Sequence, residues 1–233
     1  MNATRTKQDL ARKTPGLIQQ LFATPLARIT CPLADELNPR LAEIALQRAA
    51  AVENKIVGKS ETSADLTHWG EPSVDGITQW MLKMSRQFVE TLTGSDLGAA
   101  YATCLASEAA SFNGKENIHQ TPITIVPGHS WASVYRNGDS HEAHFHPNTA
   151  LTAIYYVTAP SVCELDLFDP RANVEYFNPG IVLAGEGQRV RLRCAPGELV
   201  LFPGWLRHAV PPFADDAVRI SMSWNLGYGR VRQ

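Results

Sequence analysis

The chain has 233 residues, of which 44% are hydrophobic and 19% are charged, with 21 Lys and Arg against 23 Asp and Glu. This composition is typical of a globular protein and excludes extensive disorder. The net charge of −2 offers no basic excess for binding nucleic acid or an anionic membrane surface, and no apolar run approaches the ~20 residues that span a bilayer.

The N-terminal part of the chain predicts helices. Residues 1–20 are polar and are expected to form a flexible N-terminus, and a short extended run follows at 21–29. Apolar residues then recur at helical spacing, or alanines accumulate, in three segments: 37–52, 74–92 and 96–110. We expect this helical part, within residues 33–112, to pack on one face of a β structure.

Residues 121–228 have a different pattern, in which short β-rich runs alternate with Gly, Pro, Asn and Asp. The runs lie at 123–126, 131–135, 151–157, 163–168, 190–194, 198–202 and 218–225. Short strands separated by turn residues predict an antiparallel sandwich or barrel. No linker or internal repeat divides the chain, so we expect residues 21–233 to form one mainly β domain with N-terminal helices.

The four cysteines are widely spaced and form no metal-binding or redox motif. They are Cys31, Cys104, Cys163 and Cys194. Such spacing indicates reduced thiols. Residues 1–13 are polar and basic without an apolar segment, which predicts that they are not a secretory signal. We therefore expect a cytoplasmic protein.

Three histidines form the first candidate site. His144 and His146 are two residues apart, and on a strand such residues project to the same face. Pro147 then interrupts the pairing of the strand, so the histidines are expected at a strand end. Two imidazoles at such a place can bind one cation. His208, which follows another predicted strand, is the best candidate for a third ligand.

Arg219 and Ser221 form the second candidate site, on one face of the last predicted strand. Apolar residues flank the arginine, and a buried arginine is unfavourable unless it meets an anion. The planar guanidinium suits a carboxylate, to which the serine hydroxyl can add a donor. The alternative is an internal salt bridge to Asp215 or Asp216.

Several stretches resemble a family of 2-oxoglutarate/Fe(II)-dependent oxygenases. They are 144–157, 168–171, 201–208 and 219–225, with a weaker match at 21–25. The resemblance covers about residues 20–228, and its C-terminal motifs are the more specific ones. It implies a double-stranded β-helix, or jelly roll, with an iron site at one mouth.

The resemblance also implies a reaction and a set of site residues. The reaction couples oxidative decarboxylation of 2-oxoglutarate, with O2, to oxidation of a C–H bond in a small-molecule substrate. His144, His146 and His208 would hold Fe(II). The cosubstrate residues would be Arg219 and Ser221, with Tyr135 and Tyr156 in the positions that prolyl hydroxylases use for their oxoacid pocket. Elimination favours a small metabolite, such as an amino acid, as substrate.

One feature departs from the family pattern, because His146 stands where the usual two-His-one-carboxylate set has its carboxylate. His146 is itself a ligand, or Asp139 or Glu142 supplies the carboxylate, or His144 and His208 bind alone. The spacing favours the first arrangement. Three neutral imidazoles leave the metal's full double positive charge in place, which should tighten the binding of an anionic oxoacid.

Two functions of other classes remain open. A cupin-type dioxygenase with three histidine ligands uses O2 without an oxoacid, and that chemistry gives Arg219 no role. A non-catalytic jelly-roll binding protein would carry its histidines incidentally. The oligomeric state is also open, with a homodimer as one alternative.

Overall fold

The computed structural model describes residues 23–51, 59–62, 65–109, 122–171 and 189–230. The N-terminus over 1–20, for which the sequence predicted flexibility, lies outside these residues. Within the described ranges, no helix is long and apolar enough to cross a membrane.

Three α-helices form the N-terminal part of the described chain, as the sequence predicted. They are α1 (Ala34–Ala50), α2 (Pro72–Thr93) and α3 (Leu97–Ala109), and a short 3-10 helix covers Leu66–His68. Helix α2 begins with Pro72 in its first turn and ends at Gly94, whose φ of 65° is left-handed. These are the residues that favour a helix start and a helix end. Its buried face includes Ile77 and Met81.

Within the described residues ten strands form two antiparallel sheets, which confirms the mainly β jelly roll. In chain order the strands are β1 (Ala27–Thr30), β2 (Ser60–Glu61), β3 (Ile123–Tyr135), β4 (His141–His144), β5 (Leu151–Thr158), β6 (Glu164–Phe168), β7 (Arg189–Arg193), β8 (Glu198–Pro203), β9 (His208–Val210) and β10 (Arg219–Arg230). The larger sheet has the order β1-β8-β5-β10-β3-β2, and the smaller one has the order β4-β9-β6-β7.

The strand predictions differ from the structure in two respects. Strand β3 is continuous across Pro127 and Gly128, where the sequence predicted a break between two strands. Pro127 lies where the pairing of β3 with β10 shifts in register, and among the described residues β2 pairs only with residues 133–134. A proline is tolerated at such an irregular or edge position. Strands β2 and β9 were not predicted, because two or three residues are too short to show a strand pattern.

The core has two layers on either side of the larger sheet. On β5, Ala153 and Tyr155 face a core shared with the helices, whereas Ile154 and Tyr156 face a core between the two sheets. This alternation is the period of a strand that is buried on both faces. The single domain over 21–233 stays a prediction, which the shared core of helices and sheet supports.

Strand β10 alternates in the same way and so supplies one wall of the candidate site. Ile220, Met222 and Trp224 belong to the core shared with the helices. The intervening Arg219, Ser221 and Ser223 line a cavity between the sheets. The pleat of β10 therefore positions polar side chains inside the jelly roll.

Candidate functional site

Three histidines converge at one end of the smaller sheet. Potential ligand atoms of His144, His146 and His208 all lie within 4.8 Å of one another. His144 is the last residue of β4, His208 is the first of β9, and the two are directly paired. The structure thus brings together the three residues for which the sequence suggested a shared cation.

His146 reaches this cluster from a loop and not from a strand face, because β4 ends at His144. The backbone N–H of His146 donates to the carbonyl oxygen of Gly204 at 3.0 Å, and Gly204 N–H donates to Ala150 O at 3.2 Å. A Cβ at position 204 would collide with the carbonyl oxygen of Thr149. The glycine therefore allows the loop that carries His146 to pack closely against the end of β8.

Two of the histidines have a defined tautomer. The Nδ1–H of His144 donates to Glu142 O at 2.8 Å, and that of His208 donates to Leu206 O at 2.9 Å. A carbonyl oxygen only accepts, so Nδ1 carries the proton and Nε2 keeps the lone pair that a metal needs. These two backbone carbonyls thus orient both rings so that each Nε2 can coordinate a metal.

The three imidazoles are neutral at neutral pH, as metal ligands must be. Burial, followed by the charge of His144, lowers the pKa of His208 to about 3. Burial and then His144 also lower the pKa of His146 to about 4. Burial lowers the pKa of His144 itself. The site therefore avoids three adjacent positive charges before any metal binds.

The two carboxylates considered from the sequence lie elsewhere. Asp139 accepts the backbone N–H of Arg136 at 2.8 Å in the turn before β4, and Glu142 is exposed. Among the described residues, the cluster of potential ligand atoms contains His146 and neither carboxylate. The geometry thus favours the three-histidine arrangement.

Beside the three histidines, Lys59, Glu61 and His141 form an ionic cluster that the sequence did not predict. Lys59 is only 4% exposed, its ammonium pairs with Glu61 at 2.5 Å, and it lies 2.7 Å from Nδ1 of His141. The His141 ring stacks on His144, with 3.9 Å between ring centroids. Burial and then the charge of Lys59 lower the pKa of His141 to about 3, so its neutral ring accepts a hydrogen bond from the lysine. No local spacing connects Lys59, which precedes β2, with His141, which begins β4 82 residues later.

Arg219 is a buried cation in the same cavity. It is 2% exposed, and its Nη1 donates to the backbone carbonyl of Glu164 at 3.0 Å. Its Nε is buried and has no hydrogen-bond partner among the described residues. The guanidinium lies 4.9 Å from the ring centroid of Tyr135 and 5.4 Å from that of Tyr156.

The alternative salt bridge from Arg219 to Asp215 or Asp216 is wrong. Asp215 instead accepts hydrogen bonds from Ser161 Oγ at 3.0 Å and from Ala217 N–H at 2.9 Å. Within the described ranges no ion pair joins Arg219 to a carboxylate. A buried charge without a counter-charge is unfavourable, so the cavity is suited to an anionic ligand.

Of the other residues predicted to bind the cosubstrate, two line the cavity and Tyr156 is not among its lining residues. Tyr135 and Ser221 line the cavity together with Arg219 and the histidines. Burial raises the pKa of Tyr135 to about 12, so its hydroxyl is protonated. Tyr156 lies in the core between the sheets, and its buried hydroxyl has no partner among the described residues.

Comparisons with known proteins give one matching family and several solved structures of similar fold. Residues 129–225 match the family described as "Putative 2OG-Fe(II) oxygenase". The chain matches no curated protein sequence. Among solved structures it is similar to a Pseudomonas putida prolyl-4-hydroxylase at 17% identity and a TM-score of 0.50, covering 88% of this chain and 93% of that one.

Two further solved structures have the same fold. The epimerase SnoN from nogalamycin biosynthesis has 13% identity and a TM-score of 0.55, with 88% of this chain and 76% of that one covered. HygX from Streptomyces hygroscopicus, with nickel, 2-oxoglutarate and hygromycin B bound, has 11% identity and a TM-score of 0.51, with 89% and 84% covered. At these identities the likeness shows the fold alone.

The histidine cluster predicts a strong dependence of metal binding on two residues. We expect His144→Ala and His208→Ala each to abolish stoichiometric Fe(II) binding, because two imidazoles do not complete a facial site. Iron content after anaerobic reconstitution measures this. His68→Ala, which removes an exposed histidine outside the cluster, is the matched control. Full iron content in either ligand variant would contradict the assignment.

A second prediction concerns the unusual ligand. His146→Asp should retain more Fe(II) affinity than His146→Ala, because the aspartate restores a two-His-one-carboxylate set. Anaerobic titration of both metal-free variants with Fe(II) gives the comparison. Near-native affinity in both would show that His146 does not bind the metal.

Proposed function

Because residues 129–225 belong to the 2OG-Fe(II) oxygenase family, we propose that this oxidoreductase binds Fe(II) through His144, His146 and His208 and oxidises a small molecule. Its cofactors are Fe(II) and 2-oxoglutarate. The observation that carries the proposal is the buried Arg219, which pairs with no carboxylate of the described residues and shares one cavity with the three histidines.

The histidines would hold the metal by their Nε2 atoms. Their neutral state removes competition from protons at neutral pH, and the backbone carbonyls of Glu142 and Leu206 fix two of the rings. Three protein ligands leave coordination positions for other groups. When bound, Fe(II) and 2-oxoglutarate supply the oxidative decarboxylation that drives oxidation of an unreactive C–H bond.

Arg219 and Ser221 would bind the carboxylate of 2-oxoglutarate that lies farther from the metal. The Nε–H of the guanidinium has no partner among the described residues, and the planar fork of arginine matches a carboxylate. Thr152 lines the same cavity, and its buried hydroxyl also lacks a partner among the described residues. These donors fit an anionic cosubstrate better than an apolar one.

The substrate is proposed to be a small molecule, with an amino acid as the first candidate. The net charge of −2 gives no support for a nucleic-acid substrate. HygX, which has the same fold, was solved with hygromycin B, a small molecule, beside its 2-oxoglutarate. A panel of amino acids is therefore a sensible first screen.

The cupin-type alternative is favoured by one observation, the three-histidine cluster itself. It leaves the buried charge of Arg219 without a function. Anaerobic titration with Fe(II) followed by 2-oxoglutarate distinguishes the two reactions, since only the proposed one produces the visible charge-transfer band of the chelate. Absence of that band, together with O2 consumption independent of 2-oxoglutarate, would favour the cupin-type reaction.

A third prediction concerns Arg219. Truncating one side of a buried charge pair costs roughly 2–5 kcal/mol, and each tenfold change in affinity corresponds to about 1.4 kcal/mol. Arg219→Ala should therefore raise the 2-oxoglutarate concentration needed for half-maximal succinate formation about 30-fold or more. Arg219→Lys should be intermediate, because it keeps the charge but loses the fork.

The control for this experiment is Arg191→Ala. Arg191 pairs with Asp166 on the smaller sheet and does not line the cavity, so its removal should leave the 2-oxoglutarate requirement unchanged. Fe(II) affinity without cosubstrate should also stay the same in Arg219→Ala. A folded Arg219→Ala variant with native 2-oxoglutarate dependence would disprove the role of this residue.

A further inference from the structure

His146 differs from the other two histidines in the group that contacts its Nδ1. The Nδ1 atoms of His144 and His208 meet backbone carbonyls. The Nδ1 of His146 instead lies 3.4 Å from Nδ2 of Asn225. The other end of the same carboxamide, Asn225 Oδ1, is buried and has no partner among the described residues.

This orientation of the carboxamide is unfavourable for two reasons. An NH2 group that donates to Nδ1 leaves the proton of neutral His146 on Nε2, where it blocks the metal. A buried oxygen without a donor also costs about 1–3 kcal/mol. Turning the carboxamide by half a rotation exchanges two groups of nearly equal shape. Oδ1 then accepts the Nδ1–H of His146, which leaves Nε2 free for the metal and gives the carboxamide oxygen a donor.

We propose that Asn225 is a positioning residue whose carboxamide oxygen accepts the Nδ1 proton of His146 and so directs Nε2 to the metal. The inference rests on the proposed function, because it assumes that the histidine cluster holds Fe(II). It gives His146 the same hydrogen-bonding arrangement as His144 and His208. All three rings then present an unprotonated Nε2 to one point.

The fold explains why an asparagine is at this place. Asn225 lies on β10, in line with Arg219, Ser221 and Ser223 at two-residue spacing, and is paired with Thr152 of β5. The pairing of β10 with β3 shifts in register between Trp224 and Leu226. The regular pairing with Thr152 keeps Asn225 on the inward face of β10, from which its carboxamide reaches the loop that carries His146.

The tautomer of His146 can be measured without any metal. Two-bond 15N–1H correlation spectra of metal-free protein with labelled histidine distinguish an Nδ1–H from an Nε2–H ring. The His146 signals are assigned by their loss in His146→Asp. We expect the Nδ1–H form in the wild-type protein. An Nε2–H form would overturn the proposal.

Two substitutions of Asn225 separate positioning from packing. Asn225→Leu, which removes the acceptor at similar size, should weaken Fe(II) binding about 10- to 100-fold, the usual effect of losing such a partner. Asn225→Asp should retain at least the wild-type affinity, because a carboxylate only accepts. A tenfold loss in the aspartate variant would contradict the proposal even if the leucine variant failed to fold.

The matched control is Asn38→Leu. Asn38 accepts a hydrogen bond from Tyr155 at 2.7 Å on the helix side of the larger sheet, so its loss should affect stability and leave Fe(II) affinity unchanged. The outcomes also separate this inference from the proposed function. A wild-type protein with the Nδ1–H tautomer and the expected variant affinities, but without 2-oxoglutarate turnover, would refute only the proposed function.

Discussion

The buried charge of Arg219 is the constraint on which the site depends. The side chain is 2% exposed and lies against two tyrosine rings, so water cannot solvate its charge. A backbone carbonyl satisfies only part of the guanidinium. A buried charge without a counter-charge is unfavourable, so a bound anion is the expected partner of this side chain. The histidine cluster in the same cavity connects this requirement with a metal.

One strand joins the two halves of the site. Arg219 begins the inward face of β10, and Asn225 lies six residues later on the same face, beside His146. The outward residues of β10 hold the strand against the helical core. The cation proposed to bind the cosubstrate and the residue proposed to orient a metal ligand therefore lie on one strand, and their separation is set by the pleat.

The sequence predicted those features of the fold and the site that depend on local patterns of residues. The stripe of α2, the alternating strands and the three histidines at 144, 146 and 208 were readable from spacing, and the burial of Arg219 followed from its apolar neighbours. The loop position of His146 depends on the close contact between Gly204 and Thr149, which spacing does not reveal. The sequence did not predict the positions of Lys59 and Glu61, because the two-residue β2 shows no strand pattern and is placed only by its pairing with β3.

The charges of the cavity constrain its chemistry further. Three neutral imidazoles leave both positive charges of Fe(II) in place, and Arg219 adds a third. In the proposed arrangement the two carboxylates of 2-oxoglutarate would neutralise two of these charges, whereas Glu61 already compensates Lys59. The loaded site thus retains one positive charge that a two-His-one-carboxylate set would have cancelled. In the proposed site, that excess would favour a substrate with an anionic group near the metal.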